Sequence, residues 1–306
     1  MNAWKGQDVI STMNWEREAM ESVLATAEKM NVAFRKKQRS TTLNGTVMAS
    51  LFFEPSTRTR VSFKSAMRLL GGEETAFGDP KTSSSAKGES LYDTVKALET
   101  QVDVFVIRHP NEGAAAWAAA NTDVPVINAG DGNNQHPTQA LLDLFTIQQN
   151  KKKLDGLTVL LAGDLKYGRT VHSLAYALSK FDGITLQFYS PSTLRMPSFM
   201  LKDLREFVKV QELDSMNLAD ADVIYATRIQ KERISDPEEY RKASYRIDLE
   251  VMKHAKEDAI LMHPLPRVDE IAVEVDRDPR AKYLEQESNG VPVRMAVLSM
   301  ILGDRS

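Results

Sequence analysis

The chain has 306 residues, 42% hydrophobic and 26% charged, a length and balance that point to a globular protein of two domains. Its net charge of −3 excludes a global pull toward nucleic acid or an anionic membrane surface, so any anion site must come from local Arg and Lys. The absence of cysteine excludes disulfides, thiolate nucleophiles and thiolate metal sites.

In chain order, 46–53 (TVMASLFF) and 102–107 (VDVFVI) read as buried strands, being short, apolar and rich in β-branched or aromatic residues. Between them Phe63, Met67 and Leu70 share one helical face, and Leu91, Val95 and Leu98 repeat the pattern. VPVIN at 124–128 is a further strand. A helix starts near Pro137, carries Leu141, Leu144, Phe145 and Gln148, and ends in Lys151-Lys152-Lys153, which read as a solvated boundary. The alternation then restarts with a strand at 157–163, a helix through Val171, Leu174, Ala175 and Leu178, and strands at 184–190, 221–227 and 259–263. Alternating strands and helices imply parallel sheets with helices on both faces. The expected fold is therefore α/β, with two doubly wound domains over 1–149 and 150–285, and a C-terminal helix (286–306) packing back on the first. The start, MNAWKGQD, lacks a signal-peptide pattern, and no apolar run approaches the roughly 18 residues that span a bilayer. A soluble, cytoplasmic protein is expected, with no nucleic-acid or membrane partner.

The strongest local signal is FFEPSTRTRVSF, 52–63, a strand running through a hydroxyl-rich turn into an amphipathic helix. Ser56, Thr57, Arg58 and Thr59 fall where helix-terminal N–H groups are unpaired, an arrangement suited to a phosphate. A Ser N-cap followed by surface arginines fits the same residues. Neither a Walker loop nor a G-x-G-x-x-G dinucleotide turn is present.

This segment resembles the carbamoyl-phosphate motif of the aspartate/ornithine carbamoyltransferase family. IRHPNEG (107–113), NAGDGNNQHPTQALLDLFTI (128–147), GDLKYGRTVHS (163–173), TRIQKER (227–233) and HPLPRVDEI (263–271) resemble the family's aspartate branch, in its order. The ornithine enzymes typically carry a cysteine in both the HPTQ and HPLPR blocks, so a chain without cysteine points to aspartate. Lys64 and Ala116 depart from the Glu and Arg usual at those places, both outside the expected ligand set.

The resemblance implies transfer of a carbamoyl group from carbamoyl phosphate to L-aspartate, the committed step of de novo pyrimidine biosynthesis, at a site in the cleft between the domains. It assigns carbamoyl phosphate to Ser56, Thr57, Arg58, Thr59, Ser83, Lys87, Arg108, His136 and Gln139, with Arg58, Thr59, Lys87, Arg108 and His136 catalytic. Aspartate falls to Lys87, Arg169, Arg228, Gln230 and the backbone carbonyls of Pro264 and Leu265, with the Leu265–Pro266 bond cis.

The residues have their own physical readings. Arg108 ends a buried strand, where ligands of parallel sheets sit, although a surface arginine at a strand end would look alike. His136 begins a helix, whose positive end favours a neutral imidazole able to donate to a carbonyl oxygen as charge develops; alone it would pass for a capping residue. Two guanidinium forks, Arg169 and Arg228, suit a dicarboxylate, though each alone reads equally as a surface ion pair. The polar segment 82–90 alone is a flexible surface loop; the resemblance sends its Ser83 and Lys87 into the neighbouring subunit of a homotrimer. Whether regulatory chains join that trimer is left open. No metal or organic cofactor is expected, because no His/Asp/Glu cluster has ligand spacing. The alternatives are an ornithine-type or other amino-acid carbamoyltransferase and a non-catalytic phosphate-binding paralogue.

Overall fold

Strands that are apolar on both faces need helices on both sides. The computed structural model, which describes residues 4–76, 88–229 and 245–303, has that arrangement twice. One unit takes the chain up to Leu142 and again from Asn289; the other is Asp143–Ser288.

The first unit contains α1 (Arg17–Arg35), β1 (Val47–Phe52), α2 (Thr57–Leu69), β2 (Glu73–Ala76), α3 (Leu91–Leu98), β3 (Val104–His109), α4 (Ala114–Ala119), β4 (Val126–Asp131) and the start of α5 (Pro137–Lys151). Its parallel sheet has the order β2-β1-β3-β4. Ala49 and Leu51 of β1 and Phe105 and Ile107 of β3 pack with Val95 of α3 and Ala115 and Ala118 of α4. From α2, Phe63 and Met67 are fully buried, and truncating Phe63 to Ala would cost about 3–5 kcal/mol. Lys64 on the outer side of that helix pairs with Glu74 of β2 at 3.0 Å.

The second unit continues with β5 (Thr158–Ala162), α6 (Arg169–Leu178), β6 (Thr185–Tyr189), α7 (Ser198–Arg205), β7 (Lys209–Leu213), β8 (Val223–Ala226), α8 (Leu249–Met252), β9 (Ile260–Met262) and α9 (Tyr283–Leu302). Its parallel sheet runs β7-β6-β5-β8-β9. Leu160, Ala162, Ile224, Ala226 and Leu261 share one core cluster with Met252, Val275 and Tyr283. The chain passes between units inside α5 and inside α9. Beyond its crossing, α9 places Arg294 in the first unit, where Nη1 donates to Ser62 Oγ at 2.6 Å and the guanidinium lies 5.0 Å over the Phe63 ring.

The lysine run is not uniformly solvated. Lys152 and Lys153 are exposed, but the Lys151 side chain is 6% exposed and donates to the Asp258 carboxylate at 2.6 Å and its carbonyl at 2.8 Å. A lysine stem buries readily when its ammonium keeps acceptors, and here the second unit supplies both. β4 also begins two residues later than expected and runs on to Asp131. Among the described residues, no helix is long and apolar enough to cross a membrane.

Candidate active site

Ligands of open parallel sheets bind outside the carboxyl ends of the strands, where strand order reverses. In the first sheet that point lies between β1 and β3, because β2 flanks β1 on one side and β3 on the other. Phe52 and Arg108 are register partners at those two ends. From Phe52 the chain turns through 53–56 into α2 with Ser56 as N-cap, in extended conformation, its side chain making no capping bond. Thr57 and Arg58 are exposed and Thr59 is 8% exposed, all in the first turn of a 13-residue helix whose leading N–H groups have no partner within it. Across the switch point, the Arg108 side chain is 12% exposed, with Nε 3.2 Å from Glu54 Oε2 and Nη1 donating to the Ala129 carbonyl at 3.2 Å. One arginine is thus held between the turn after β1 and strand β4. The phosphate-motif residues and Arg108 therefore stand on either side of one strand junction.

His136 and Gln139 enter from β4, the neighbour of β3, at the start of α5. His136 is 4% exposed and its carbonyl accepts the N–H groups of Gln139 and Ala140, opening the helix. Asp131 shapes the loop before it. Its Oδ1 accepts from Asn128 Nδ2 at 2.8 Å and Gln135 N at 3.1 Å, and its Oδ2 from Gly113 N at 2.7 Å and Asn134 Nδ2 at 2.9 Å. Four donors on a carboxylate that is 1% exposed fix the approach to His136. Gly132 next to it has φ +52, and a Cβ there would lie 2.9 Å from the Pro110 carbonyl, so only glycine fits. Beside this loop, His109 accepts from Asn111 N through Nδ1 at 3.0 Å. Burial pushes its imidazole below the ordinary value, against the opposing pull of Asp131 and Glu54.

The second sheet reverses between β5 and β8, whose end residues Ala162 and Ala226 are register partners. Arg169 begins α6 after β5, Arg228 follows β8, and both are half-buried. The Tyr245 hydroxyl joins the two strand ends: it accepts from Thr227 N at 2.9 Å and lies 2.7 Å from the Thr227 carbonyl and 3.1 Å from that of Ala162. Burial of its phenolic end, with Glu270 nearby, pushes its pKa well above the ordinary value, so it stays a neutral hydroxyl. Gly163, at φ +116, passes beneath; a Cβ there would come within 2.4 Å of the Thr227 carbonyl. Asp164, 1% exposed, accepts from Tyr167 N at 2.9 Å and stiffens the loop to Arg169.

Pro264 and Leu265 follow β9, the neighbour of β8, and the Leu265–Pro266 bond is cis. Leu265 has φ +51, a left-handed conformation that costs a non-glycine residue on the order of 1–3 kcal/mol and persists only when held. Ser83, Lys87 and Gln230 lie outside the described residues. Among the described residues, no group of three or more His, Asp or Glu could hold a metal ion.

Two family models match the chain: the aspartate/ornithine carbamoyltransferase carbamoyl-P binding domain over residues 7–149, and the Asp/Orn binding domain over 155–301. The chain belongs to the aspartate/ornithine carbamoyltransferase family. Within the family it is 53% identical to the aspartate carbamoyltransferase catalytic subunit of Thermococcus onnurineus, covering 98% of each chain. Identity to the Methanocaldococcus jannaschii catalytic subunit is 48%, over 97% of this chain and 98% of that one. Among solved structures, aspartate transcarbamoylase from Trypanosoma cruzi, in complex with carbamoyl phosphate and aspartate, superposes with a TM-score of 0.94 at 38% identity, covering 99% and 98% of the two chains.

Several residues that shape this site received no role in the sequence reading. Glu54 and Tyr245 reach partners distant in sequence, Arg108 and Ala162, while Asp131 holds its own loop through Asn128, Asn134 and Gln135. Asp131 carried a usable signal, an acid between two glycines at the end of a buried strand.

Proposed function

We propose that the chain transfers the carbamoyl group of carbamoyl phosphate to the amino group of L-aspartate, giving N-carbamoyl-L-aspartate and phosphate in pyrimidine biosynthesis. One observation carries the proposal: residues matching the family's phosphate half flank the switch point of the first sheet, and the arginines matching its aspartate half flank that of the second. Whole-length identity of about half to aspartate carbamoyltransferase catalytic subunits supports the choice of aspartate over ornithine. So do the Trypanosoma cruzi complexes with carbamoyl phosphate and aspartate and with N-(phosphonacetyl)-L-aspartic acid.

The mechanism is direct acyl transfer. The aspartate amino group attacks the carbamoyl carbon, the C–O bond to phosphate breaks, and the departing phosphate takes the amine proton. Thr59, Arg108 and His136 stabilise negative charge on the carbonyl oxygen in the tetrahedral transition state. Arg58, Ser56, Thr57 and the N–H groups opening α2 hold the phosphate, with Ser83 and Lys87 reaching in from a neighbouring subunit. Gln139 orients the carbamoyl amide. Arg169 and Arg228 grip the two carboxylates, Gln230 supports them, and the carbonyls of Pro264 and Leu265 accept from substrate N–H. Most of the rate then comes from positioning and preorganised charge. The working form is a cytoplasmic homotrimer, and the relatives' name, catalytic subunit, supports membership of an assembly that regulatory chains could join.

N-(phosphonacetyl)-L-aspartic acid, which joins both halves in one molecule, should inhibit competitively against carbamoyl phosphate. Noncompetitive behaviour, or none, would contradict the shared site. Mixing inactive Arg108→Ala and Lys87→Ala chains tests the trimer. Partial return of activity is expected, and no return after verified subunit exchange would argue against sharing.

A further inference from the structure

We infer that His263 and Glu270 are positioning residues that aim the Pro264 and Leu265 carbonyls at substrate, an inference that rests on the transferase reading above. His263 Nδ1 accepts from Leu265 N at 2.8 Å, so the proton of the neutral ring is on Nε2, which donates to Glu270 Oε1 at 2.7 Å. The other carboxylate oxygen of Glu270 accepts from Val268 N and Asp269 N, each at 3.1 Å. One imidazole and one carboxylate thereby tie Leu265, Val268 and Asp269 to the end of β9. Their side chains are 1% and 6% exposed.

The pair is itself rooted in the second unit. His263 N donates to Gln286 Oε1 at 2.8 Å, Gln286 Nε2 to Asp143 Oδ1 at 2.7 Å, and Tyr225 OH to Asp143 Oδ2 at 2.9 Å. Each of these side chains is at most 1% exposed. On the other side, Glu270 accepts Ile247 N through its carbonyl at 2.8 Å. The run from β8 through α5 and α9 to the 263–270 loop is a satisfied buried network, which fixes orientation more than it adds stability. A histidine–carboxylate pair elsewhere presents a base to substrate. Here Nδ1 is committed to Leu265 and Nε2 to Glu270, so the ring orients backbone and does not touch the reacting atoms. Its target is Leu265, the residue in the left-handed conformation, whose carbonyl direction would otherwise drift.

Two substitutions separate this role from a merely structural one. In His263→Asn, Oδ1 overlays Nδ1 and still accepts from Leu265 N–H, but Glu270 loses its donor. In His263→Gln, the amide still reaches Glu270, but the Leu265 acceptor is gone. The expected result is crossed. The Gln variant keeps the higher Tm yet raises the KM for aspartate about tenfold, the worth of one oriented hydrogen bond, with the KM for carbamoyl phosphate unchanged. The Asn variant melts lower but keeps an aspartate KM close to wild type. Hydrogen exchange at the Leu265 amide reads the clamp without turnover and should speed up in Gln alone. Equal exchange and equal aspartate KM in the two variants would overturn the inference. A wild-type chain that makes no carbamoyl-aspartate would instead sink the transferase reading, with the exchange data still deciding whether the clamp exists.

Discussion

Glu54 holds Arg108: Oε2 of the acid after β1 lies 3.2 Å from Nε of the arginine that ends β3, while the same guanidinium donates to Ala129 on β4. The arginine proposed to stabilise the carbonyl oxygen is therefore pinned on two sides. Arg108→Ala should lower kcat by about 10²–10³, the usual loss of an oxyanion donor, with little change in Tm. Glu54→Gln keeps the side-chain size but loosens the pin, and should cost roughly tenfold in kcat/KM through misorientation. Steady-state kinetics with both variants check this; an unchanged Glu54→Gln would remove the acid from the account.

His136 stands at the head of α5, and the loop leading to it hangs on Asp131. His136→Ala should lower kcat by about 10² while the affinity for carbamoyl phosphate, measured by calorimetry, stays within a small factor. Unchanged turnover would end its catalytic role. Asp131→Ala leaves four donors, two of them in buried bonds, without this acceptor and should destabilise the fold by about 2–4 kcal/mol in denaturant titration.

Tyr245 sits where β5 and β8 end, with Arg228 one residue beyond its partner Thr227. Tyr245→Phe removes the hydroxyl only. It should cost about 1 kcal/mol of stability and raise the KM for aspartate, leaving that for carbamoyl phosphate alone. A rise in both constants would mean that the hydroxyl serves the whole fold rather than the arginine.

The acid limb of stability should carry a signature of Glu270. Burial pushes this carboxyl up, but the hydrogen bond from His263 and the N–H of Val268 outweigh it, leaving the pKa below the ordinary 4.5. A lowered folded-state value means a contribution fully present above about 4.5 and lost as pH falls through the folded value. Asp278, held low by its hydrogen bond from Arg280, acts with the same sign. Glu270→Gln should therefore flatten only part of the decline below that pH. Denaturation curves at a series of pH values check this, and parallel curves for both proteins would contradict it.

What could be read from the residues alone follows burial. β1, β3, β5, β8 and β9 are largely buried and show as mostly apolar runs. β2 (EETA) and β7 (KVQEL) lie at sheet edges, exposed or half-buried throughout, and their polar residues hide them. α4 is a six-residue stretch with five alanines, too short to show a period. α1 was not read from the sequence, although Met20, Val23, Leu24 and Ala27 share its buried face. At the site, the motifs name the residues proposed to contact substrate, because chemistry dictates their types. The residues that aim them are invisible to local pattern: Tyr245 reaches Ala162 across 83 positions, and Asp143 meets Gln286 across 143.

The most direct test is carbamoyl transfer by the purified chain with L-aspartate and L-ornithine offered in parallel. N-carbamoyl-L-aspartate as sole product is the predicted result. Carbamoyl-ornithine would preserve the roles of Arg58 and Arg108 but contradict those of Arg169 and Arg228, and neither product from a folded protein would contradict catalysis itself.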